Sequence, residues 1–322
     1  GNIALRANTT GSENVAIGMN AMYSNTTGED NVAVGYASLY NNTTADNNTA
    51  VGYYALLANT TGYENTAVGS SALQANTTGA RNTSVGHAAF DANTTGNNNV
   101  AIGRNALTTS TTAHNNVAVG SAAMLLTTTG TSNVAMGKEA LYANTTAGNN
   151  TALGYQAMLD NTTGAGNTAI GRNALDNNTT ADNNTSVGSL SMHDNTTGVH
   201  NTAVGHASLA SNTTAANNVA IGYESLKANT TGTSNNAVGN ASLLANTTGD
   251  YNTAIGHGSL LANTTAHRSV AVGFEALKNS AVVGNSNASN VGVGYQAGTS
   301  LTSGISNVFV GAHSGDATTS GG

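Results

Sequence analysis

Hydrophobic side chains recur along this chain with a period of 17 residues. Glycine marks the period, standing at Gly1, Gly18 and Gly35 and then at every seventeenth position to Gly273, without insertion or deletion. With this glycine as column 1, columns 5 and 17 are always large and apolar, and columns 4 and 16 are Ala or Ser. We therefore predict that these four columns are buried. A fixed period of this length is typical of a solenoid, in which each repeat packs chiefly on its neighbours.

Charged residues occupy a complementary set of columns. As far as Lys278, every Asp, Glu, Lys and Arg lies in columns 2, 3, 6, 7, 12 or 13. These columns form three adjacent pairs separated by short uncharged segments. Solvent-facing corners joined by tight segments have this pattern, so we expect a flattened or three-cornered coil.

Each unit contains two segments that favour a β-strand. In N-[TV]-[AS]-[VI]-G, columns 14 to 17 and 1, β-branched residues alternate with small ones, as in a strand. A second strand is expected in [AS]-[LM]-x-x-N, columns 4 to 8, before a Thr-Thr-[GA] turn. Glycine and paired threonine in every unit oppose a helix. The predicted fold is all-β, a parallel β-solenoid of 17-residue coils, and its small-residue face at columns 16 and 1 is expected to pack closely against another copy of the chain.

Asparagine fills column 14 in fifteen consecutive units. Stacked Asn side chains can hydrogen-bond from coil to coil, so we predict a structural ladder at this column rather than a ligand site. The ladder residues are Asn14, Asn31, Asn48, Asn65, Asn82, Asn99, Asn116, Asn133, Asn150, Asn167, Asn184, Asn201, Asn218, Asn235 and Asn252.

The composition narrows the range of functions. Of the 322 residues only 7% are charged, and the chain has 39 Gly but no Pro, Cys or Trp; a globular domain usually has about 25% charged residues. Such a composition also occurs in disordered segments, but the periodic apolar columns argue against disorder. The net charge of −7 is dispersed, which indicates neither nucleic acid nor an anionic membrane as a partner. No apolar run is long enough to span a bilayer.

Candidate catalytic and metal-binding groups are sparse. The sequence contains no G-x-S-x-G, H-E-x-x-H or phosphate-loop motif, so we expect no enzymatic activity, cofactor or metal. His87, His206 and His257 share column 2 but stand too many coils apart to ligate one metal. Acidic residues gather in columns 12 and 13, where a solvated acidic edge is favoured over a calcium site. These residues are Glu13, Glu29, Asp30, Asp46 and Glu64.

Tyrosines are expected to form short rows. Tyr36 and Tyr53, and likewise Tyr23 and Tyr40, stand 17 residues apart and should stack on adjacent coils. Aromatic rows of this kind can bind sugars, although they also stabilise a sheet surface without any ligand.

The repeated Asn-Thr-Thr at columns 8 to 10 has three interpretations. It can be a turn whose side chains cap local backbone groups, an N-x-T acceptor carrying a row of N-linked or O-linked glycans, or an ice-binding row. Adjacent threonines should point in different directions, which counts against ice binding. The candidate N-glycosylation residues are Asn8, Asn25, Asn42, Asn59, Asn76, Asn93, Asn144, Asn161, Asn178, Asn195, Asn212, Asn229, Asn246 and Asn263.

The register changes near the C-terminus. After Gly273 the matching glycines are Gly294, a step of 21, and Gly311, a step of 17, and column 5 becomes Gly298 and Gly315 instead of Leu. We therefore predict a regular repeat solenoid over residues 1–278. Residues 279–322 are expected to form divergent coils or a C-terminal junction with a flexible tail.

The units N-V-A-I-G (14–18), N-V-A-V-G (31–35) and N-T-A-V-G (65–69) resemble the head repeats of trimeric autotransporter adhesins of the YadA type. Similar units occur in phage tail-fibre-like and bacterial surface proteins. The resemblance implies a left-handed parallel β-roll, three chains packed about a common axis, and attachment outside the cell. The unit is longer than that of the adhesin head and adds the N-T-T turn.

Together these patterns predict a structural extracellular fibre or adhesin shaft at a cell or virion surface. Its expected partners are further copies of itself, as a homotrimer or filament, and covalent glycans. Two alternatives remain: a filament that polymerises end to end, and an ice- or glycan-binding β-solenoid.

Overall fold

The computed structural model describes residues 1–282 and 287–320. Within these residues the chain is all-β and contains no helix, so the predicted parallel β-solenoid of 17-residue coils is confirmed. The chain divides into two compact units, Gly1–Thr163 and Gly164–Gly322. The predicted divergent segment lies in the second unit. Its residues 283–286, and the last two residues of the predicted flexible tail, lie outside the described residues.

Each coil contributes one three-residue strand, at columns 15 to 17. The first unit contains β1 (Val15–Ile17), β2 (Val32–Val34), β3 (Thr49–Val51), β4 (Thr66–Val68), β5 (Thr83–Val85), β6 (Val100–Ile102), β7 (Val117–Val119), β8 (Val134–Met136) and β9 (Thr151–Leu153). The second contains β10 (Thr168–Ile170), β11 (Thr185–Val187), β12 (Thr202–Val204), β13 (Val219–Ile221), β14 (Asn236–Val238), β15 (Thr253–Ile255), β16 (Val270–Val272), β17 (Val291–Val293) and β18 (Val308–Val310).

Within each unit, successive strands pair in parallel and keep equivalent columns side by side. Ala33 of β2, for example, pairs with Ala50 of β3. The 21-residue step near the C-terminus does not disturb this register, because Val270 of β16 still pairs with Val291 of β17. The strands on either side of the longer step therefore pair as the other strands do.

The core of the coil is built from columns 4, 5 and 16, as predicted. Ala67, Ala72 and Leu73 are fully buried, as are their equivalents in the coils between Ala21 and Leu277. The large side chain at column 5 fills the interior, while the small residue at column 16 leaves room for it. At Gly292, a column-16 position, a Cβ atom would lie 2.7 Å from Leu277 Cγ of column 5.

Column 17 was wrongly predicted to be buried. Its side chains point away from the coil, and Ile102, Met136, Ile170 and Ile255 are each about two-fifths exposed, at 38%, 46%, 38% and 42%. The reason is the two-residue alternation of a strand. Once Ala or Ser at column 16 faces the narrow interior, columns 15 and 17 must both face outward.

The second predicted strand, at columns 4 to 8, is a turn. Columns 3 and 5 adopt left-handed backbone conformations, with φ of 59° at Tyr54 and 51° at Leu56, which no β-strand permits. Hydrogen bonds between coils survive this change, since the amide of Leu56 donates to Ala72 O at 3.1 Å and that of Ala58 to Gln74 O at 3.0 Å. Local periodicity cannot distinguish this stacked turn from a strand.

The small-residue face was also wrongly assigned to contact with another chain. Column 16 is inside the coil, and the column-1 glycines stack on one another within the chain. A Cβ atom on Gly69, where φ is +137°, would overlap Gly86 O and lie 2.7 Å from Gly86 C. The small residues therefore permit close stacking of successive coils rather than close approach of a second copy.

The glycines that replace leucine near the C-terminus make room for Phe309. This residue occupies column 16 of β18, where the other coils have Ala or Ser and, at Gly292, glycine. A Cβ atom on Gly298 would lie 2.6 Å from Phe309 Cδ2, and one on Gly315 would overlap the same ring. The phenyl ring thus fills from the strand the space that leucine fills from the turn in other coils.

Candidate functional surfaces

The predicted asparagine ladder at column 14 is present. The amide of Asn65 donates to Asn48 Oδ1 at 3.0 Å, and Asn65 Nδ2 donates to the same oxygen at 3.2 Å and to Gly79 O at 2.9 Å. The side chains are buried. Because each amide bonds to the coils on both sides of it, this column acts in coil stacking.

The asparagines of column 8 form a second buried ladder, which the sequence reasoning missed. Asn59 is fully buried, and its Nδ2 donates to Asn42 Oδ1 at 3.0 Å and to Gly62 O at 2.8 Å. The sequence did contain a signal, because from Asn8 to Asn263 the only replacements in this column are Ser110 and Thr127. Both are small and polar, and Thr127 Oγ1 accepts a bond from Asn144 Nδ2 at 3.4 Å.

This second ladder bears on N-glycosylation at column 8. The Nδ2 atom, to which an N-linked glycan is attached, is buried and engaged in two hydrogen bonds in Asn25, Asn42 and Asn59. The folded coil therefore does not present these amides to an enzyme. A glycan added before folding would replace a ladder hydrogen bond and separate the coils.

The two threonines that follow point in different directions, as expected for adjacent residues. Thr60, in column 9, is partly buried, and its hydroxyl donates to Thr77 O at 3.0 Å. Thr61, in column 10, is exposed, as is Thr78 in the next coil. In these coils the column-10 threonine is therefore the more exposed of the two.

The outer face of the strands is uncharged within each unit, with a continuous apolar row at column 17 and a mixed row of valine and threonine at column 15. Columns 15 and 17 are intermediate or exposed in every strand, and they contain Val, Ile, Leu, Met and Thr with a single Asn at Asn236. No charged residue interrupts the two rows. We call the outward side chains of columns 15 and 17 the sheet face, and its row of exposed apolar side chains makes it a candidate binding surface.

The acidic edge at columns 12 and 13 shows no metal-binding geometry. Asp46 Oδ1 accepts a bond from the amide of Glu29 at 2.8 Å, and Glu64 pairs with Arg81 at 3.0 Å. Within residues 1–282 and 287–320, no three His, Asp or Glu side chains are grouped to hold a metal ion.

The column-2 histidines do not converge on one another. His206 stacks on Tyr223 with ring centroids 5.3 Å apart, and His257 stacks on Phe274 at 5.2 Å. Each of these two rings thus packs on the equivalent residue of the next coil rather than on another histidine.

The predicted tyrosine stacks are present. The ring centroids of Tyr23 and Tyr40 lie 5.0 Å apart, and those of Tyr36 and Tyr53 lie 5.3 Å apart, with nearly parallel planes in both pairs. Tyr54 packs against the second pair, 4.0 Å from Tyr53. The pKa of Tyr54 is raised, first by its hydrogen bond with Tyr53, so the Tyr54 hydroxyl group stays protonated and neutral at physiological pH.

Two further observations concern the whole chain. Comparison of the sequence with protein-family models finds no match, and a search of curated proteins finds none either. Among the described residues, no helix is long and apolar enough to cross a membrane.

Proposed function

We propose that this protein is a structural extracellular fibre or adhesin shaft that assembles as a homotrimer and serves attachment or surface display. The observation that carries the proposal is the uncharged, apolar sheet face at columns 15 and 17. Burying apolar surface yields roughly 25 cal/mol per Å². A repeated face of this kind gains most from an identical partner in the same register.

The resemblance of the units to trimeric adhesin head repeats supports three copies. It also supports a location outside the cell, at a cell or virion surface. The interface in this proposal is the sheet face of columns 15 and 17, not the alanine and glycine columns, because column 16 is inside the coil and the column-1 glycines stack on those of the next coil.

Covalent glycans, if the shaft carries them, belong on the exposed threonines of column 10, such as Thr61 and Thr78. These hydroxyls face solvent, whereas the asparagine amides of column 8 are buried. The expected modification is therefore O-linked, and intact mass before and after removal of O-glycans measures it on material from the native source.

Mass in solution tests the assembly. Sedimentation equilibrium of the deglycosylated chain should give three times 31.8 kDa. Charged substitutions on the sheet face, Val51→Glu with Val68→Glu, should shift this mass to that of a single chain. The matched control places the same charges on the exposed column-10 row, as Thr61→Glu with Thr78→Glu, and should remain assembled.

A wild-type chain that stays monomeric at every concentration would reject the homotrimer. An association that grows with concentration beyond three chains would favour the end-to-end filament instead. Ice-growth inhibition by a monomer would favour the ice-binding alternative.

A further inference from the structure

The surface of the first unit contains a tyrosine-lined groove that the shaft function does not use. It runs between column 3 on one side and column 6 on the other, and its volume is about 260 Å³. The residues that line it are Asn20, Tyr36, Ala37, Tyr40, Tyr54 and Leu57. We call this the tyrosine groove.

The walls of the groove are fixed by stacking outside it. On one side Tyr36 stacks on Tyr53 at 5.3 Å and meets Tyr54 at 5.6 Å. On the other side Tyr40 stacks on Tyr23 at 5.0 Å. Because neighbouring rings hold these side chains in place, little rotamer entropy is lost when a ligand enters, which favours binding by a preformed site.

The groove also contains an unsatisfied hydrogen-bond acceptor. Asn20 Oδ1 is buried and has no hydrogen-bond partner. A buried polar atom left unpaired costs roughly 1–3 kcal/mol, so a ligand that brings a donor to this oxygen gains that energy. None of the lining residues is charged, which indicates a neutral ligand.

We propose that the tyrosine groove binds one ring of a neutral saccharide. A sugar ring presents C–H bonds on its face and hydroxyl groups at its edge, and tyrosine likewise combines an apolar face with a polar hydroxyl. One ring face packs on a tyrosine wall, and a ring hydroxyl donates to Asn20 Oδ1 once rotation of the Asn20 side chain brings this buried oxygen to the surface of the groove. Pockets for drug-sized ligands are usually about 300–1,000 Å³, so the smaller volume of this groove suits a single ring.

A polyproline segment is the other ligand class that aromatic grooves accept. It fits the acceptor less well. Proline lacks the backbone N–H, so the rings that enter an aromatic groove bring no donor to Asn20 Oδ1. The chemistry of the groove therefore favours a saccharide hydroxyl.

A groove at the same columns further along the first unit shows what distinguishes the tyrosine groove. It is lined by Glu139, Tyr142, Gln156, Leu159 and Asp160. There Gln156 Nε2 donates to Glu139 Oε2 at 2.8 Å, and Lys138 pairs with Glu139 at 3.2 Å. That groove has one tyrosine and a paired carboxylate, whereas six of the eleven tyrosines of the chain lie between residues 23 and 63.

Saturation-transfer NMR with methyl glycosides of glucose, galactose, mannose and N-acetylglucosamine tests the proposal. At least one should bind with a dissociation constant of about 1 mM or below and receive saturation at its ring C–H protons. The test variant combines Tyr36→Ser, Tyr40→Leu and Tyr54→Ala. Each new residue already stands in the same column of another coil, as Ser70, Leu57 and Ala37, so the coil tolerates it.

The triple variant should weaken binding at least tenfold while its circular dichroism is unchanged. Tyr223→Ser, which removes an exposed column-2 tyrosine from the second unit, is the control and should bind as the wild type does. Asn20→Gly keeps the left-handed backbone at this position, where φ is 61°, and should weaken binding by removing the acceptor.

Three results would overturn the inference. They are the absence of binding to all four glycosides, equal binding by the triple variant, and binding of a decaproline peptide to the groove with no glycoside binding. The trimer plays no part in this reasoning, so a monomeric chain that binds sugar would reject the shaft assembly and keep the groove.

Discussion

Two constraints require glycine at column 1: the backbone φ is positive, and a Cβ atom would clash with the next coil. Gly69 has a φ of +137°, and a Cβ atom on it would overlap the carbonyl of Gly86 in the next coil. The column-11 residue Gly62 would place its Cβ against Gly79 O as well, but its φ is not in the left-handed region. Alanine replaces glycine at column 11, as in Ala45 and Ala113, and never at column 1. The backbone can therefore move away at column 11 but not at column 1.

We expect Gly69→Ala to lower the free energy of unfolding by about 3 kcal/mol or more, because it adds backbone strain to a clash between coils. Gly62→Ala is the matched control and should change it by less than about 1 kcal/mol. Urea unfolding followed by circular dichroism measures both. Equal losses in the two variants would show that the left-handed backbone is not the decisive constraint.

Removal of a column-14 asparagine should lower the stability for a different reason, because a buried amide is left without its acceptor. In Asn65→Ala the buried amide of Asn82 loses its acceptor, which lies 3.0 Å away in the wild type. An orphaned buried donor costs roughly 1–3 kcal/mol. The expected result is a loss of that size in urea unfolding, with faster hydrogen exchange at the Asn82 amide.

The control for the ladder variant is Thr61→Ala, at an exposed position, which should change stability by about 0.5 kcal/mol at most. Unchanged exchange at Asn82 would mean that water replaces the missing side chain and that the ladder is not needed for stacking.

Within a coil, the sequence predicts the spacing of strands and buried columns better than the direction in which each side chain points. The period, the strand at columns 15 to 17, the buried Leu73 and the Asn65 ladder all follow from column composition. The outward direction of Val68 does not follow, because a valine that faces solvent or a partner has the same composition as one that faces a core. The turn at Leu56 was missed because left-handed leucines are uncommon. They persist here because burial of the side chain offsets the strain.

In the coil of β18 the large residue, Phe309, is at column 16 and the small one, Gly315, is at column 5, which reverses the usual arrangement. This reversal can be tested by mutation. Gly315→Leu alone should destabilise the second unit, because its side chain meets the ring of Phe309. Phe309→Ala alone leaves a cavity, a change that costs about 3–5 kcal/mol at a fully buried site and less at this half-buried one. The double variant restores the Ala and Leu of other coils.

We therefore expect the double variant to be more stable than the sum of the two single losses, with a coupling of about 1–3 kcal/mol. Urea unfolding of the four proteins in this double-mutant cycle measures the coupling. The left-handed backbone does not prevent the change, since φ is 68° at Gly315 and 51° at Leu56. Additive losses would mean that the two positions do not share one space.

For the molecule as a whole, neutral amides rather than ion pairs hold the coils together. Surface ion pairs such as Arg81 with Glu64, both about half exposed, contribute roughly 0–1 kcal/mol. Two carboxyl groups have a lowered pKa: Glu139, through hydrogen bonds from Gln156 and Lys138, and Glu275, through bonds from Lys278 and Gln296. The two side chains are 25% and 17% exposed, so solvent still screens both interactions and limits what they add.

The pKa of Asp91 is shifted in the opposite direction to those of the two glutamates. Burial raises its pKa, and neither backbone hydrogen bonds nor the nearby His87 fully compensates; its Oδ1 has no partner. A raised carboxyl pKa weakens the fold at neutral pH, where the charge is buried, and this cost disappears as the pH falls below the ordinary pKa of aspartate. The two glutamates lose their contribution as the pH falls through their lowered pKa values. Acid therefore produces opposing changes.

We expect the urea midpoint of the wild type to change little between about pH 7 and pH 3, and little in about 1 M salt, which screens surface charges beyond about 3 Å. Asp91→Asn separates the opposing contributions, because it removes the buried charge and keeps the shape. The variant should be more stable than the wild type at neutral pH, and the difference should vanish at low pH as Asp91 becomes protonated. If the stability difference between Asp91→Asn and the wild type is the same at both pH values, the Asp91 charge is not what limits stability. If salt greatly lowers the stability of the wild type, ion pairs rather than the asparagine ladders hold the coils together.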